Sequence, residues 1–101
     1  MIIYEVTVDV EARLAEAFEQ YMRGKHIAEI LTTGCFTGAH FEKAAPTRFR
    51  TRYEAESRDE LEVYLLEHTA RFRKDFAARF PVGCAVRREV WEEVEGFTAP
   101  R

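Results

Sequence analysis

The stretch Arg48-Phe49-Arg50-Thr51-Arg52-Tyr53-Glu54-Ala55-Glu56 alternates strictly between uncharged and charged side chains. Because successive side chains of a β-strand point to opposite faces of its sheet, this period of two predicts a half-buried strand. One face then carries Phe49, Thr51, Tyr53 and Ala55, and the other carries Arg48, Arg50, Arg52, Glu54 and Glu56. The first face needs a covering layer, and the second is left open.

A long helix is predicted directly after this strand. Ser57-Arg58-Asp59-Glu60 matches a capping box, in which the serine and the glutamate satisfy each other's backbone donors. Apolar residues then recur at helical spacing up to Pro81, which ends the helix: Leu61, Leu65, Phe72, Phe76 and Phe80. Residues 84–94 are predicted as the last strand, with Val86, Val90 and Val94 on the same face.

The residues before the alternating stretch predict a strand, a helical region and a second strand. Residues 2–8 are β-branched and alternate, and Asp9 is placed to cap the helix that follows. Apolar side chains then recur at helical spacing, at Leu14, Phe18, Tyr21 and Met22. Gly24 interrupts this pattern, which resumes at Ile27, Ile30 and Leu31. Gly34 suits the helix exit, and residues 35–43 alternate weakly as a strand.

The predicted order is therefore βαββαβ. With right-handed crossovers this order gives a ferredoxin-like α+β fold, a four-stranded antiparallel sheet with helices on one face. We expect a single domain over residues 1–95 and a loose C-terminal tail over residues 96–101.

Composition excludes several classes of protein. The chain has 101 residues with 15 Lys and Arg against 18 Asp and Glu, which argues against nucleic acid as a partner. No apolar run is long enough to cross a membrane, and no basic leader precedes an apolar core. Cys35 and Cys84 are too few for a disulfide framework, so we expect reduced thiols and a cytoplasmic location.

The open face of the sheet admits more than one interpretation. It is expected to carry the charged residues of the alternating stretch together with Glu5, Arg87 and Glu89, with Ile3, Phe41 and Trp91 as apolar anchors. One interpretation is a solvated surface with weak cross-strand ion pairs. The other is a self-complementary homodimer face. An anion-binding face is less favoured because the glutamates nearly match the arginines in number.

Four segments resemble a family of small bacterial proteins: Met1-Ile2-Ile3-Tyr4-Glu5-Val6-Thr7-Val8, His26-Ile27, Thr33-Gly34-Cys35-Phe36 and Tyr64-Leu65-x-Glu67-His68-x-Ala70-Arg71. The family is a domain of unknown function within the dimeric α+β-barrel superfamily of antibiotic-biosynthesis monooxygenases, and the resemblance spans residues 1–94. It implies a ferredoxin-like subunit whose sheet faces that of a second subunit, and so favours the homodimer. Ala28 stands where a proline is common in the family.

The resemblance does not extend to a reaction. Oxygenases of the superfamily rely on an asparagine with aromatic or histidine partners, and this chain contains no asparagine. Its only serine, Ser57, is explained by the helix start, and its three histidines have no metal-ligand spacing. No catalytic residue, metal or cofactor is therefore predicted, and the sequence leaves open whether the protein is an enzyme.

The candidate ligand site lies between the helices and the sheet. Tyr4 and Tyr53 are expected to point from the two central strands towards the helices. His68 interrupts the apolar stripe of the helix that covers them, and His26 is expected near the opening of the site. A homodimer that binds or transforms a small, largely apolar metabolite there is one hypothesis. The other is a non-catalytic dimerising module for protein interaction, in which these side chains fill a solid core.

Overall fold

The computed structural model describes residues 1–101. Its four strands are β1 (Ile2–Val10), β2 (Gly38–Ala45), β3 (Arg48–Ala55) and β4 (Cys84–Glu92). Its helices are α1 (Ala15–Tyr21), α2 (Ile27–Leu31), α3 (Arg58–Glu67) and α4 (Thr69–Arg79), with a 3-10 turn at Ala12–Leu14 and a π-helical turn at Met22–His26. None of the helices is both long and apolar enough to span a membrane.

The strands form one antiparallel sheet in the order β2-β3-β1-β4. The central strand β1 pairs with β3 and with β4, and the register places Tyr4 opposite Tyr53 and Glu5 opposite Arg52. This is the predicted ferredoxin-like α+β fold. The prediction is confirmed.

The two faces of β3 separate as the alternation predicts. Phe49, Thr51, Tyr53 and Ala55 are all buried, whereas none of the charged residues between them is. The helices therefore cover one face of the sheet only. In the isolated chain the other face has no covering layer, and we call it the open face.

Aromatic side chains fill the space between the sheet and the helices. Phe18 of α1 is fully buried, with ring centroids 5.2 Å from Phe49 and 5.9 Å from Phe80. At the other end of the sheet, Phe36 lies 5.2 Å from Tyr53 and 4.9 Å from Tyr64. Ring pairs at these separations add to the free energy gained by burial alone.

The start of α3 follows the prediction, whereas the start of the first helical region does not. Ser57 is the N-cap of α3, and its hydroxyl accepts a hydrogen bond of 3.3 Å from the backbone N–H of Glu60. The cap predicted at Asp9 is wrong, because β1 continues to Val10. The carboxylate of Asp9 instead accepts a hydrogen bond of 2.7 Å from Arg48 Nε across the sheet.

The long helix predicted after Ser57 is broken at His68, where φ is −121° and ψ is −30°. Tyr64 and Phe72 are eight positions apart, so in a straight helix they would point about 80° away from each other. The break allows both to face the core, and their rings stack with centroids 6.3 Å apart.

Two further predictions are corrected at Gly24 and at Phe41. The helical backbone continues through Gly24 as a π-helical turn, so the first helix is widened there rather than interrupted.

Phe41 is not an anchor on the open face. Its register partner is Thr51, which is buried, so Phe41 lies on the helix side and stacks on Phe49 at 5.6 Å.

The second and last strands also differ in their limits. The weakly alternating segment predicted over 35–43 begins three residues later, because Cys35 and Phe36 turn into the core before β2 starts at Gly38. The last strand ends at Glu92, and Phe97 beyond it is 86% exposed.

Truncation of Phe18 tests the packing between sheet and helices. We expect Phe18→Ala to lower the free energy of unfolding by about 3–5 kcal/mol, since it leaves a cavity beneath several rings. Urea denaturation measures this change, with Phe97→Ala as the control that should leave stability within about 0.5 kcal/mol of wild type. Equal effects of the two substitutions would contradict the packing described above.

Candidate functional site

A small cavity that opens to solvent lies between the sheet and the helices. Its volume is about 40 Å³. Every layer of the fold contributes to its lining, which consists of Tyr4, Val6, His26, Ile30, Tyr53, Tyr64, Thr69, Phe72, Arg73, Phe76 and Arg88. The cavity therefore combines an aromatic wall with several hydroxyl groups, one imidazole and two guanidinium groups.

Two tyrosines form the floor of this cavity. Tyr4 and Tyr53 are register partners on β1 and β3, and their rings lie 6.2 Å apart. Both are buried, with 5% and 2% exposure respectively. Burial raises the pKa of Tyr53 above its ordinary value, so its hydroxyl stays protonated at any physiological pH.

His26 reaches the cavity from the π-helical turn. Its Nδ1 lies 3.2 Å from the hydroxyl of Tyr21, and its ring meets Phe72 edge-on at 6.0 Å. Burial lowers the pKa of His26 to about 4, a shift that nearby Glu29 and Asp75 oppose and Lys25 reinforces. The imidazole is thus neutral at pH 7 and can both donate and accept a hydrogen bond.

Four polar residues of the lining were not among the predicted site residues: Tyr64, Thr69, Arg73 and Arg88. Tyr64 follows the buried Leu61 by three positions, so helical spacing could have identified it. Burial raises the pKa of Tyr64 to about 12, a shift that the nearby side chain of Thr69 opposes. Arg73 and Arg88 are exposed, so the cavity opens to solvent beside them.

The structure brings together three of the four predicted site residues. Tyr4, Tyr53 and His26 line the same cavity, but His68 does not. His68 lies at the break between α3 and α4, partly exposed, where its Nδ1 accepts a hydrogen bond of 2.8 Å from Arg71 Nη1. Its ring is 6.3 Å from that of Tyr64, so it stands behind the cavity wall.

No group of three or more His, Cys, Asp or Glu side chains is placed to hold a metal ion. Both cysteines are free thiols; Cys35 is buried and Cys84 is half-buried. Burial raises the pKa of the Cys84 thiol, which makes it a weaker nucleophile at neutral pH. The cytoplasmic location stays a prediction.

The open face of the sheet carries charged side chains of both signs. Arg50 donates to Glu42 at 2.6 Å and lies 3.6 Å from Glu5, and Arg48 pairs with Asp9. The indole of Trp91 donates to Glu5 at 3.4 Å and remains 53% exposed. A depression of about 480 Å³ crosses this face, larger than the cavity under the helices but open and highly charged.

The neutral state of His26 has a consequence for stability. The unfolded chain binds a proton on this side chain near pH 6.5, but the folded chain does so only near pH 4. The unfolded state therefore holds more protons between these values, so stability falls as pH is lowered through this window. From pH 7 to pH 5 we expect a loss of about 2 kcal/mol from this residue.

Urea denaturation of wild type and His26→Phe at both pH values measures this contribution. The wild type should lose about 2 kcal/mol more than the variant between pH 7 and pH 5. An identical loss in both proteins would contradict the neutral imidazole.

Comparison with known proteins identifies a family and a fold. The sequence profile of DUF4286, a domain of unknown function, matches residues 1–94. No curated protein matches the chain.

Several solved structures share the fold. A dimeric ferredoxin-like protein from an uncultured marine organism superposes with a TM-score of 0.74 at 12% identity, covering 98% of this chain and 100% of that one. SnoaB, a cofactor-independent oxygenase from Streptomyces nogalater, superposes as a mutant with a TM-score of 0.71 at 10% identity and 97% coverage of both chains. HapK from Hahella chejuensis gives a TM-score of 0.70 at 14% identity, with 99% and 100% coverage.

Sequence identities this low show that the fold is shared and nothing more. Other structural neighbours are described as antibiotic biosynthesis monooxygenases. They match the superfamily that the sequence motifs resemble. The chain belongs to the DUF4286 family and has the ferredoxin-like fold.

Proposed function

We propose that this protein is a homodimer that binds a small, largely apolar metabolite between its helices and its sheet. The observation that carries the proposal is the convergence of His26, Tyr4, Tyr53 and Tyr64 on one aromatic cavity. Ligand sites in proteins typically combine apolar walls with a few polar groups that fix the ligand's orientation. Arg73 and Arg88 at the opening favour a ligand with an anionic end.

The size of the cavity requires that it opens for a ligand. About 40 Å³ holds water, whereas pockets for metabolites commonly measure roughly 300–1,000 Å³. Helix α4 supplies Thr69, Phe72, Arg73 and Phe76 of the lining and is separated from α3 by the break at His68. We therefore place the opening movement in α4, pivoting at His68.

A specific observation favours the second candidate function. A cavity of about 40 Å³ is also what a nearly filled core leaves behind, which is the property of a non-catalytic dimerising module. In that case the tyrosines and His26 satisfy one another and have no ligand. Binding experiments separate the two functions.

The homodimer is proposed from the uncovered face of the sheet. Helices cover one face, and the other presents the apolar pair Ile3 and Trp91 among charged residues of both signs. A large exposed indole surrounded by polar groups is typical of a protein interface. A second copy of the chain, laid sheet to sheet, is the partner that this face fits.

Binding can be tested by thermal shift with 2-naphthoate and 2-naphthol. We expect a saturable rise in Tm for wild type, larger for the carboxylate because of the two arginines at the opening. The variant His26→Leu/Tyr64→Phe should lose this rise, since it removes two of the hydrogen-bonding groups of the cavity.

The control for this experiment is Leu66→Ala, which alters an exposed side chain of α3 outside the lining and should retain the rise. No shift with either compound in wild type favours the dimerising module. A shift that persists in the double variant places the ligand elsewhere.

Trp91→Ala tests the sheet-to-sheet dimer. Because a buried interface tryptophan typically contributes 2 kcal/mol or more to binding, we expect its loss to raise the dissociation constant about thirty-fold or more. Light scattering over a dilution series measures the change. Leu66→Ala is the matched control, since Leu66 is 85% exposed on α3 and should leave the dimer intact. A monomeric wild type at micromolar concentration would overturn the proposal.

A further inference from the structure

On the two central strands, most charges of the open face are segregated by sign. On this face β1 carries Glu5 and Asp9, and the neighbouring β3 carries Arg48, Arg50 and Arg52, followed by Glu54 near its end. Over most of their length the two strands therefore place acidic side chains beside arginines. A pattern of this kind restricts how a second copy can be laid upon it.

Some of these charges have no partner within the chain. Arg87 and Glu89 lie on the open face of β4 and form no ion pair or hydrogen bond through their side chains. Arg52 Nε is buried without a hydrogen-bond acceptor, although Glu42 Oε1 lies 3.4 Å away. Some charged groups of the open face therefore have no hydrogen-bond or ion-pair partner within one subunit.

Two sheets can face each other with a two-fold axis between them in two simple ways. If the axis runs perpendicular to the strands, each strand lies over the same strand of the partner and runs in the opposite direction. When this axis passes through the row of Thr51, Arg50 faces the partner's Arg52. If the axis runs along the strands between β1 and β3, β1 lies over the partner's β3 and β4 over the partner's β2.

We propose that the homodimer uses the second arrangement, with its two-fold axis along the strands. The inference rests on the sheet-to-sheet dimer proposed above and specifies its register. Glu5 then faces the partner's Arg52, and Asp9 faces the partner's Arg48. On the outer strands, Arg87 faces the partner's Glu42 and Glu89 faces the partner's His40.

The same register accommodates the exposed indole. Trp91 and Gly38 occupy the same row of the sheet, on the outer strands β4 and β2. With the axis along the strands, Trp91 lies over the partner's Gly38. A side chain added at Gly38 would have open space around it, so this glycine leaves a notch above the sheet that is free to receive the ring.

Opposite charges that face each other across an interface fix the register, whereas like charges in contact oppose association. Charge reversal therefore tests the arrangement. Arg87→Glu places two carboxylates opposite each other at both symmetry-related positions, and we expect the dimer dissociation constant to rise about ten-fold or more. Glu42→Arg should weaken the dimer in the same way.

The decisive variant is Arg87→Glu/Glu42→Arg, which restores opposite charges in the proposed register. Its dissociation constant should be at least about ten-fold lower than that of Arg87→Glu. An independent pair, Glu89→Lys with His40→Glu, should behave likewise. Circular dichroism of each variant checks the fold, and Glu62→Arg on the helix side controls for net charge.

Sedimentation velocity at low salt gives these constants. A wild-type dimer in which neither double variant recovers would overturn the register but not the dimer. Recovery by Arg87→Glu/Glu89→Arg instead would show that the axis runs across the strands. A monomeric wild type would overturn the dimer itself.

Discussion

The two-residue period of β3 is the constraint on which the rest of the structure depends. It places Phe49, Thr51, Tyr53 and Ala55 against the helices and turns the arginines of the same strand to the other side. The aromatic core forms on the first side, because the apolar stripes of the helices must be covered by apolar area. The second side remains charged and uncovered. Both proposals, the ligand cavity and the dimer, follow from this division.

The cavity depends on two irregularities in the helical layer. The π-helical turn at Met22–His26 places His26 above the tyrosines of the sheet, and the break at His68 directs Phe72 towards the same space. A regular pair of helices would point these side chains elsewhere. The half-buried imidazole is neutral at physiological pH, which carries a cost in stability below pH 6.5. Costs of this kind are common at binding sites.

Much of the fold could be predicted from local patterns. The alternation over residues 48–56 and the serine at the start of α3 act through the backbone of their own segment, so sequence spacing suffices to find them. The inward positions of Tyr4 and Tyr53 follow from the same alternation. Three features depend instead on packing between distant segments, and local patterns do not contain that information. They are the pairing of Asp9 with Arg48, the side of the sheet occupied by Phe41, and the break at His68.

The central claim of this account is that a second copy of the chain covers the open face. Trp91, the only tryptophan of the chain, lies on that face and is 53% exposed in the single subunit. Its fluorescence emission over a dilution series from micromolar to nanomolar concentration is the most direct measurement. The account predicts a blue-shifted maximum at high concentration that moves to longer wavelength as the dimer dissociates. A long-wavelength maximum that does not change with concentration would contradict it.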